Sequence, residues 1–139
     1  MREDRLRVLR GIRFAAHLGL TIEPTTWHAI CSTDLVGLSA ERIVQEWTKV
    51  LAGDNPARWF DLLRDSGHLS EVAPPLTGLD TEAVARTRKR LDQMPAGTPT
   101  EVAAAVLFAE VAVSEVSLWL ESLPLANDLR DRISWLLDP

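Results

Sequence analysis

The sequence predicts an all-α fold, an array of about eight short helices, and two observations support this. No segment alternates apolar and polar residues as a half-buried strand does. Residues that start or end helices recur along the chain instead, at Gly19, Pro24, Gly53, Pro56 and Gly67. No unit repeats at a fixed period, so the pattern does not indicate a solenoid.

Four helices are predicted in the first half of the chain, over about residues 2–18, 24–33, 40–52 and 56–66. The first ends at Gly19, a residue type that commonly follows the last helical turn. Ser39 is the predicted N-cap of the third helix, and Asn55 is the predicted N-cap of the fourth, which begins at Pro56.

The second half begins with the segment 72–79, which is rich in proline and glycine and is predicted to be a linker. The string Thr98-Pro99-Thr100-Glu101 matches a capping box with proline in the first turn, and it predicts the start of an apolar, buried helix. Ser114 and Asn127 are the predicted caps of the last two helices. Beside the buried helix, the predicted helices of this half cover about residues 81–94, 115–122 and 128–137.

The composition indicates an ordinary globular protein, since 46% of the 139 residues are hydrophobic and 25% are charged. The longest apolar run is far too short to cross a membrane, and no leader resembles a signal peptide, so we expect a cytoplasmic protein without a membrane partner. The single Cys31 excludes an internal disulfide, and no cysteine cluster is available to hold zinc.

Positive charge is concentrated at the N-terminus. Residues 2–17 hold five Arg against two acids, a local net charge of +3, in a chain whose total net charge is −5. The other residues therefore carry a net charge of −8. The basic start predicts an anionic partner near the N-terminus, whereas the acidic remainder argues against broad, nonspecific nucleic-acid binding.

The first helix places an acid and an arginine side by side. Successive residues are about 100° apart on a helix, so Asp4 and Arg7 share one side, and Gly11, one turn beyond Arg7, leaves room there. By spacing alone, Asp4 and Arg7 form a surface ion pair, which contributes a few tenths of a kcal/mol to the stability of the helix. Another side of the helix is predicted to supply apolar contacts, from Leu6, Leu9, Ile12 and Ala16.

The string EDRLRVLRGIRFAAHLG at residues 3–19 resembles the neck of class II tRNA nucleotidyltransferases, the CCA-adding enzymes and their bacterial poly(A) polymerase relatives. The corresponding motif of that family is approximately EDxLRxLRAIRFAAxLGF. Further segments of the family follow in the right order, TIEPxT at 21–26, LSxERIxxE at 38–46 and LLxxxGxL at 62–69. The resemblance is strong over residues 2–75 and weak beyond them.

The resemblance implies a neck domain over residues 1–53 and a helical, RNA-binding-like body domain over residues 54–139. It further implies a fragment that selects CTP and ATP and holds the tRNA 3′ end during addition of CCA, or of A alone. A poly(A) polymerase fragment and a non-catalytic α-helical protein-interaction module are the alternatives.

The resemblance assigns nucleotide selection to Glu3, Asp4 and Arg7. An Asp can accept the exocyclic amine of cytosine or adenine while an Arg donates to the neighbouring ring acceptor. Uracil and guanine present a carbonyl in place of that amine, so the Asp would face an acceptor and remain unpaired. Glu3 is expected to hold Arg7 in position. Arg10 and Arg13 are expected to approach the triphosphate or the tRNA backbone, or simply to be solvated.

Two further groups of charged residues have both an ordinary and a family interpretation. Arg42 and Glu46, four residues apart, form either a surface ion pair or a brace beneath the nucleotide site. The cluster Arg86, Arg88, Lys89 and Arg90 either contacts the tRNA acceptor arm or forms a solvated helix face. The five Trp are expected to pack in the core or between helices.

The catalytic head of the family carries a Gly-Ser loop and two metal-binding aspartates separated by one residue. The sequence contains no Gly-Ser dipeptide and no Asp-x-Asp, so no catalytic or metal-binding residue is predicted in this chain. Mg²⁺ is expected in the missing head, and the chain is interpreted as a fragment or one piece of a split protein, inactive alone. The surface that a head would cover is expected to bind a separate head chain or a second copy.

Position 11 has Gly in this chain, whereas the family usually has Ala there. Glycine weakens a helix by about 1 kcal/mol relative to alanine.

Overall fold

The computed structural model describes residues 2–53 and 55–138, with side chains from Asp4 onward, and this part of the chain is all-α. It contains nine α-helices and no strand. In chain order the α-helices are α1 (Arg2–Leu18), α2 (Pro24–Ser32), α3 (Ala40–Ala52), α4 (Pro56–Ser66), α5 (Leu69–Val72), α6 (Thr81–Asp92), α7 (Thr100–Leu107), α8 (Val113–Glu121) and α9 (Asn127–Leu137), and a 3-10 helix (Pro74–Gly78) lies between α5 and α6. The predicted all-α class is therefore confirmed.

Local signals correctly predicted the ends of several helices. The Ser39 side chain accepts a hydrogen bond from the backbone N–H of Arg42 at 3.3 Å, which confirms it as the N-cap of α3. Gly67 ends α4 at φ +84, in the left-handed region that glycine adopts without strain. Gly19 follows α1 at φ +65, and the next residue, Leu20, returns a backbone bond to the Ala15 carbonyl.

Three predicted caps are wrong, and a fourth makes no side-chain bond. Asn55 is the N-cap residue of α4, as predicted, but its side chain forms no cap bond. Ala112 and Ala126 are the residues that precede α8 and α9, so neither Ser114 nor Asn127 is a cap. Thr98 donates its hydroxyl to the Pro95 carbonyl, and α7 begins only at Thr100. Short polar side chains can bond to several nearby backbone groups, so a capping residue type does not by itself specify which bond forms.

The predicted linker is a compact segment. Residues 69–72 form α5, and the 3-10 helix follows directly. Val72, Pro75 and Leu76 are buried there. The prediction was wrong because proline tolerates the first turn of a helix, and the apolar side chains of this segment have a core to pack against.

The core is one continuous hydrophobic cluster that includes side chains from α1 through α9. Helix α1 packs on α4 and α3, and α7 packs on α9, α6 and α3. Trp47 and Trp59 are buried, and half-buried Trp119 lies 5.3 Å from the Phe108 ring and 6.3 Å from the Trp47 ring. The packing prediction is wrong for Trp135, which is 65% exposed. The division between residues 53 and 54 stays a prediction.

One arginine ties the end of α8 to α9. The Arg130 guanidinium donates to the carbonyls of Leu120 at 3.0 Å, Leu123 at 2.7 Å and Leu125 at 3.2 Å. It also donates to the Asn127 side-chain oxygen at 2.8 Å. Helix ends leave carbonyls without intrahelical partners, so this side chain satisfies the C-terminal end of α8.

Among the residues that the structure describes, no helix is long and apolar enough to cross a membrane.

Candidate functional site

Asp4 and Arg7 lie together on the solvent-facing side of α1. The distance from Arg7 Nη1 to Asp4 Oδ1 is 3.8 Å. The Asp4 side chain is 64% exposed and the Arg7 side chain is 76% exposed. Both groups therefore point the same way and remain accessible to a molecule from solution. The Glu3 side chain lies outside the described residues, so its proposed role in holding Arg7 stays a prediction.

The apolar side of α1 fixes this orientation. Val8, Leu9, Ile12 and Ala16 are buried against the rest of the fold. Helix α1 packs on α4 and α3 through this apolar side. Three of the four apolar positions predicted for α1 are buried, and Leu6 is half-buried. The apolar stripe therefore sets which way the Asp4–Arg7 pair faces.

A buried carboxylate anchors the middle of α1. Glu46 of α3 is 3% exposed and accepts a hydrogen bond of 2.5 Å from Arg13 Nε. Arg10 Nε lies 3.9 Å from the other Glu46 oxygen. Buried carboxylates require a partner of this kind because desolvation of the charge is costly. Arg13 is mostly buried, so the prediction that it is solvated is wrong. Arg10 is half-exposed, and the predicted contact of either arginine with a triphosphate or RNA stays a prediction.

The surface ion pair predicted between Arg42 and Glu46 does not form. Arg42 is exposed and has no ion-pair partner among the described residues, whereas Glu46 faces α1. The reason is that Glu46 lies on the side of α3 that packs on α1, where the two arginines of α1 are nearer. A role for Arg42 and Glu46 beneath a nucleotide site stays a prediction.

The basic cluster of α6 is mostly paired within the fold. Arg86 donates two hydrogen bonds to Glu110, at 2.9 and 2.7 Å, and Arg90 donates to the other oxygen of the same carboxylate. Arg88 forms a two-pronged pair with Asp61 of α4. Lys89 is exposed, without an ion pair among the described residues. All four residues remain exposed, so the cluster is a solvated helix face whose arginines pair with acids of other segments, and RNA binding by it stays a prediction.

Charge pairing changes the proton affinities in this cluster. The hydrogen bond from Arg86, followed by that from Arg90, lowers the pKa of Glu110 from 4.5 to about 2. The hydrogen bond with Glu110 raises the pKa of Arg86, and the hydrogen bond with Asp61 raises the pKa of Arg88. The partners are separated by 20 to 27 residues in sequence, so spacing on one helix does not reveal them.

In the described part of the chain, no three His, Cys, Asp or Glu side chains lie together as metal ligands.

A family model described as "Probable RNA and SrmB- binding site of polymerase A" matches residues 19–79. The match begins where α1 ends and continues through the 3-10 helix. It overlaps residues 19–75 of the segment 2–75, whose motifs resemble the nucleotidyltransferase family.

Some curated relatives match about half of the chain, and others match nearly all of it. A "Multifunctional CCA protein" of Vibrio cholerae is 43% identical over 84 residues, which cover 55% of this chain and 21% of that protein. A "CCA-adding enzyme" of Streptococcus suis is 31% identical over 138 residues, covering 98% of this chain and 34% of that enzyme. The "CCA-adding enzyme" of Geobacillus stearothermophilus is also 31% identical over 138 residues, and the match covers 33% of its length. No solved structure is significantly similar to this chain.

The chain spans between a fifth and a third of the length of these relatives. The matches and the motif at residues 3–19 agree on one group of proteins. This chain belongs to the family of CCA-adding enzymes and poly(A) polymerases, as a neck and body region of that family.

Proposed function

We propose that this chain is the part of a tRNA nucleotidyltransferase that selects CTP and ATP and holds the tRNA 3′ end during addition of the terminal nucleotides. The observation that carries the proposal is the exposed Asp4–Arg7 pair on a helix whose apolar side is buried. The names of the relatives support the reaction class.

The chemistry of the pair fits bases with an exocyclic amine. A carboxylate only accepts hydrogen bonds, and a guanidinium only donates them. Cytosine and adenine each present an amine beside a ring acceptor, so Asp4 accepts from the amine and Arg7 donates to the ring. Hydrogen bonds of this charge-assisted kind are shorter and stronger than neutral ones.

Rejection of the other bases follows from the same two groups. Uracil and guanine place a carbonyl oxygen opposite the Asp4 carboxylate, which has no proton to donate. An unpaired acceptor at that position costs about 1–3 kcal/mol, or roughly a 5- to 150-fold loss of affinity. Selection therefore depends on repulsion of the wrong base as much as on attraction of the right one.

The metal-dependent chemical step is assigned to another part of the protein. In-line phosphoryl transfer requires carboxylates that hold Mg²⁺ at the reacting phosphate, and the sequence contains no Asp-x-Asp pair. A catalytic head is therefore a proposed partner of this chain.

Nucleotide titrations followed by NMR test the selection. Resonances of Asp4 and Arg7 are expected to shift with CTP and with ATP, and to stay unchanged with UTP and GTP. Equal shifts with all four nucleotides would show that the triphosphate alone is bound, and no shift with any would reject nucleotide binding.

Two variants make the test specific. D4N keeps the size of the side chain but adds a donor, so it is expected to weaken CTP and ATP binding and to admit UTP. E41Q changes an exposed carboxylate of α3 and leaves the Asp4–Arg7 pair intact, so it is the matched control.

A further inference from the structure

Helices α7 and α9 pack on each other and leave an open groove between them at the surface. Its volume is about 460 Å³, and its apolar lining is Val102 of α7 with Trp135 and Leu136 of α9. Trp135 is 65% exposed, and Leu136 is 37% exposed. Single exposed apolar residues are common on proteins, whereas a group of them around a groove is typical of a binding surface.

The Trp135 ring is accessible to a cation from another molecule. Two other exposed or buried rings of this chain are covered from within, since Arg13 lies over Phe14. Arg64 likewise lies over Phe60. None of the described cations lies over Trp135 in this way. Tryptophan is the aromatic residue that attracts a cation most strongly, so an Arg or Lys of a partner has a favourable position on this ring.

Three charged residues complete the lining of the groove, Glu101 of α7 with Asp131 and Arg132 of α9. Neither carboxylate has an ion-pair partner among the described residues. Asp131 precedes Trp135 by four residues, so the two side chains lie one turn apart on the same side of α9. A cation on the Trp135 ring is therefore close to a carboxylate as well.

The surroundings of the groove are strongly acidic. Residues 98–139 contain seven acids and two arginines, a net charge of −5, whereas residues 1–97 are neutral overall. Arg130 of this segment donates to backbone carbonyls of the fold, and Arg132 is exposed. A negative potential of this kind attracts a basic partner and repels the phosphates of a nucleic acid.

The size of the groove favours a short segment over a folded subunit. A stable interface between folded proteins includes about 20–30 residues on each side, whereas six residues line this groove. A short peptide with an apolar anchor and basic neighbours matches the groove in size and in charge.

We propose that the groove between α7 and α9 binds a short basic segment of a partner protein, with an apolar side chain in the groove and an Arg or Lys on the Trp135 ring. The guanidinium of an Arg stacks flat on the ring, and Asp131 and Glu101 accept its hydrogen bonds. The apolar side chain packs on Val102 and Leu136. This contact does not depend on the proposed function, because no residue of the groove belongs to α1.

Three fluorescently labelled peptides, added separately to the full chain and followed by anisotropy, test the charge and the apolar anchor. The peptide KLLRKLLRK has cations and leucines, KSSRKSSRK has the cations alone, and ELLEELLEE has the leucines with acids. We expect KLLRKLLRK to bind about tenfold more tightly than either of the others. Its affinity is expected to fall as salt is added, because salt screens exposed charges.

Two variants locate the binding to the groove. W135A is expected to weaken KLLRKLLRK about tenfold, because it removes the ring under the cation and part of the apolar lining. The double variant E101Q/D131N is expected to weaken it about fivefold and to reduce its salt dependence. Trp135 is exposed, so W135A should keep the thermal unfolding midpoint of the wild type.

Matched controls come from α8. Leu118 is 71% exposed, so L118A removes an exposed apolar side chain outside the groove. E115Q/E121Q removes two exposed carboxylates of the same acidic segment. Both controls are expected to bind KLLRKLLRK as the wild type does.

Every other result overturns the proposal. Equal binding of KLLRKLLRK and ELLEELLEE would exclude a basic partner, and no binding of KLLRKLLRK would exclude the segment itself. Equal losses in W135A and L118A, or in the two double variants, would place the binding outside the groove. A dimer in sedimentation velocity that W135A abolishes would assign the groove to a second copy. Binding of tRNA that W135A weakens and L118A does not would assign it to a nucleic acid.

Discussion

The Arg13 guanidinium donates to the Glu46 carboxylate at 2.5 Å, across the contact of α1 with α3. Glu46 is 3% exposed and Arg13 is mostly buried. The pair fixes the position of α3 relative to the helix that carries Asp4 and Arg7. Arg13 also lies over the Phe14 ring, so the pair connects a buried residue of α3 to an exposed aromatic residue of α1.

Removal of this buried acceptor is expected to destabilise the fold. E46A leaves the Arg13 guanidinium without its partner, and we expect a loss of about 3 kcal/mol in the free energy of unfolding. E46Q keeps one acceptor oxygen, so its loss should be smaller. Urea denaturation followed by circular dichroism measures both, with E41A on the exposed side of α3 as the control. An E46A variant as stable as E41A would contradict the anchoring role.

The Glu110 pairing predicts a stability change in acid. The pKa of Glu110 is about 2 in the folded chain and 4.5 in the reference state, so the folded state prefers the ionised carboxylate. Its contribution is complete above about pH 4.5 and is lost as the pH falls toward 2. The stability difference between the wild type and E110Q should therefore shrink over this window. E115Q, an exposed change on α8, should show no such trend, and a wild-type to E110Q difference that is constant from pH 6 to about 2.5 would refute the pairing.

Arg130 is expected to be the most sensitive cation of α9. R130M removes the donors to the Leu120, Leu123 and Leu125 carbonyls, and we expect a loss of about 2 kcal/mol in the free energy of unfolding. R130K retains the charge but lacks the planar fork, so its stability should be intermediate. R132M changes an exposed arginine of the same helix and should be neutral. Thermal unfolding ranks the three variants, and equal effects of R130M and R132M would exclude the capping role.

The Ser39 cap makes a local contribution that is simple to measure. S39A removes the side-chain bond to the Arg42 N–H and is expected to lower the free energy of unfolding by about 1 kcal/mol. S39D keeps an acceptor at the N-terminus of α3 and should restore most of that loss. If S39A and S39D are equally destabilised relative to the wild type, the bond has no energetic role.

The chain alone is expected to be inactive in nucleotide addition. With tRNA lacking its 3′ end, CTP, ATP and Mg²⁺, we expect no incorporation of labelled nucleotide, because the sequence has no paired carboxylates to hold the metal at the reacting phosphate. Addition of a catalytic head from a CCA-adding enzyme in trans is the positive arm of the assay. Incorporation by the chain alone would show that the chemical step resides here.

The sequence by itself determined the features that depend on residues within one helical turn. The bounds of α1 and α3, the Ser39 cap and the adjacency of Asp4 and Arg7 all follow from spacing, propensity and local backbone bonds. These contacts join residues three or four apart, so the order of residues along one helix is sufficient to predict them.

Only the tertiary structure decided which charges meet across helices. Glu46 binds Arg13 rather than Arg42, although its spacing from Arg42 is the helical one. Glu110 pairs with two arginines of α6 that lie 20 and 24 residues earlier in the sequence, so a cluster that resembles a nucleic-acid contact is largely paired within the fold. The physical reason is that a carboxylate removed from water pairs with the cation that packing brings nearest, and packing depends on the whole core.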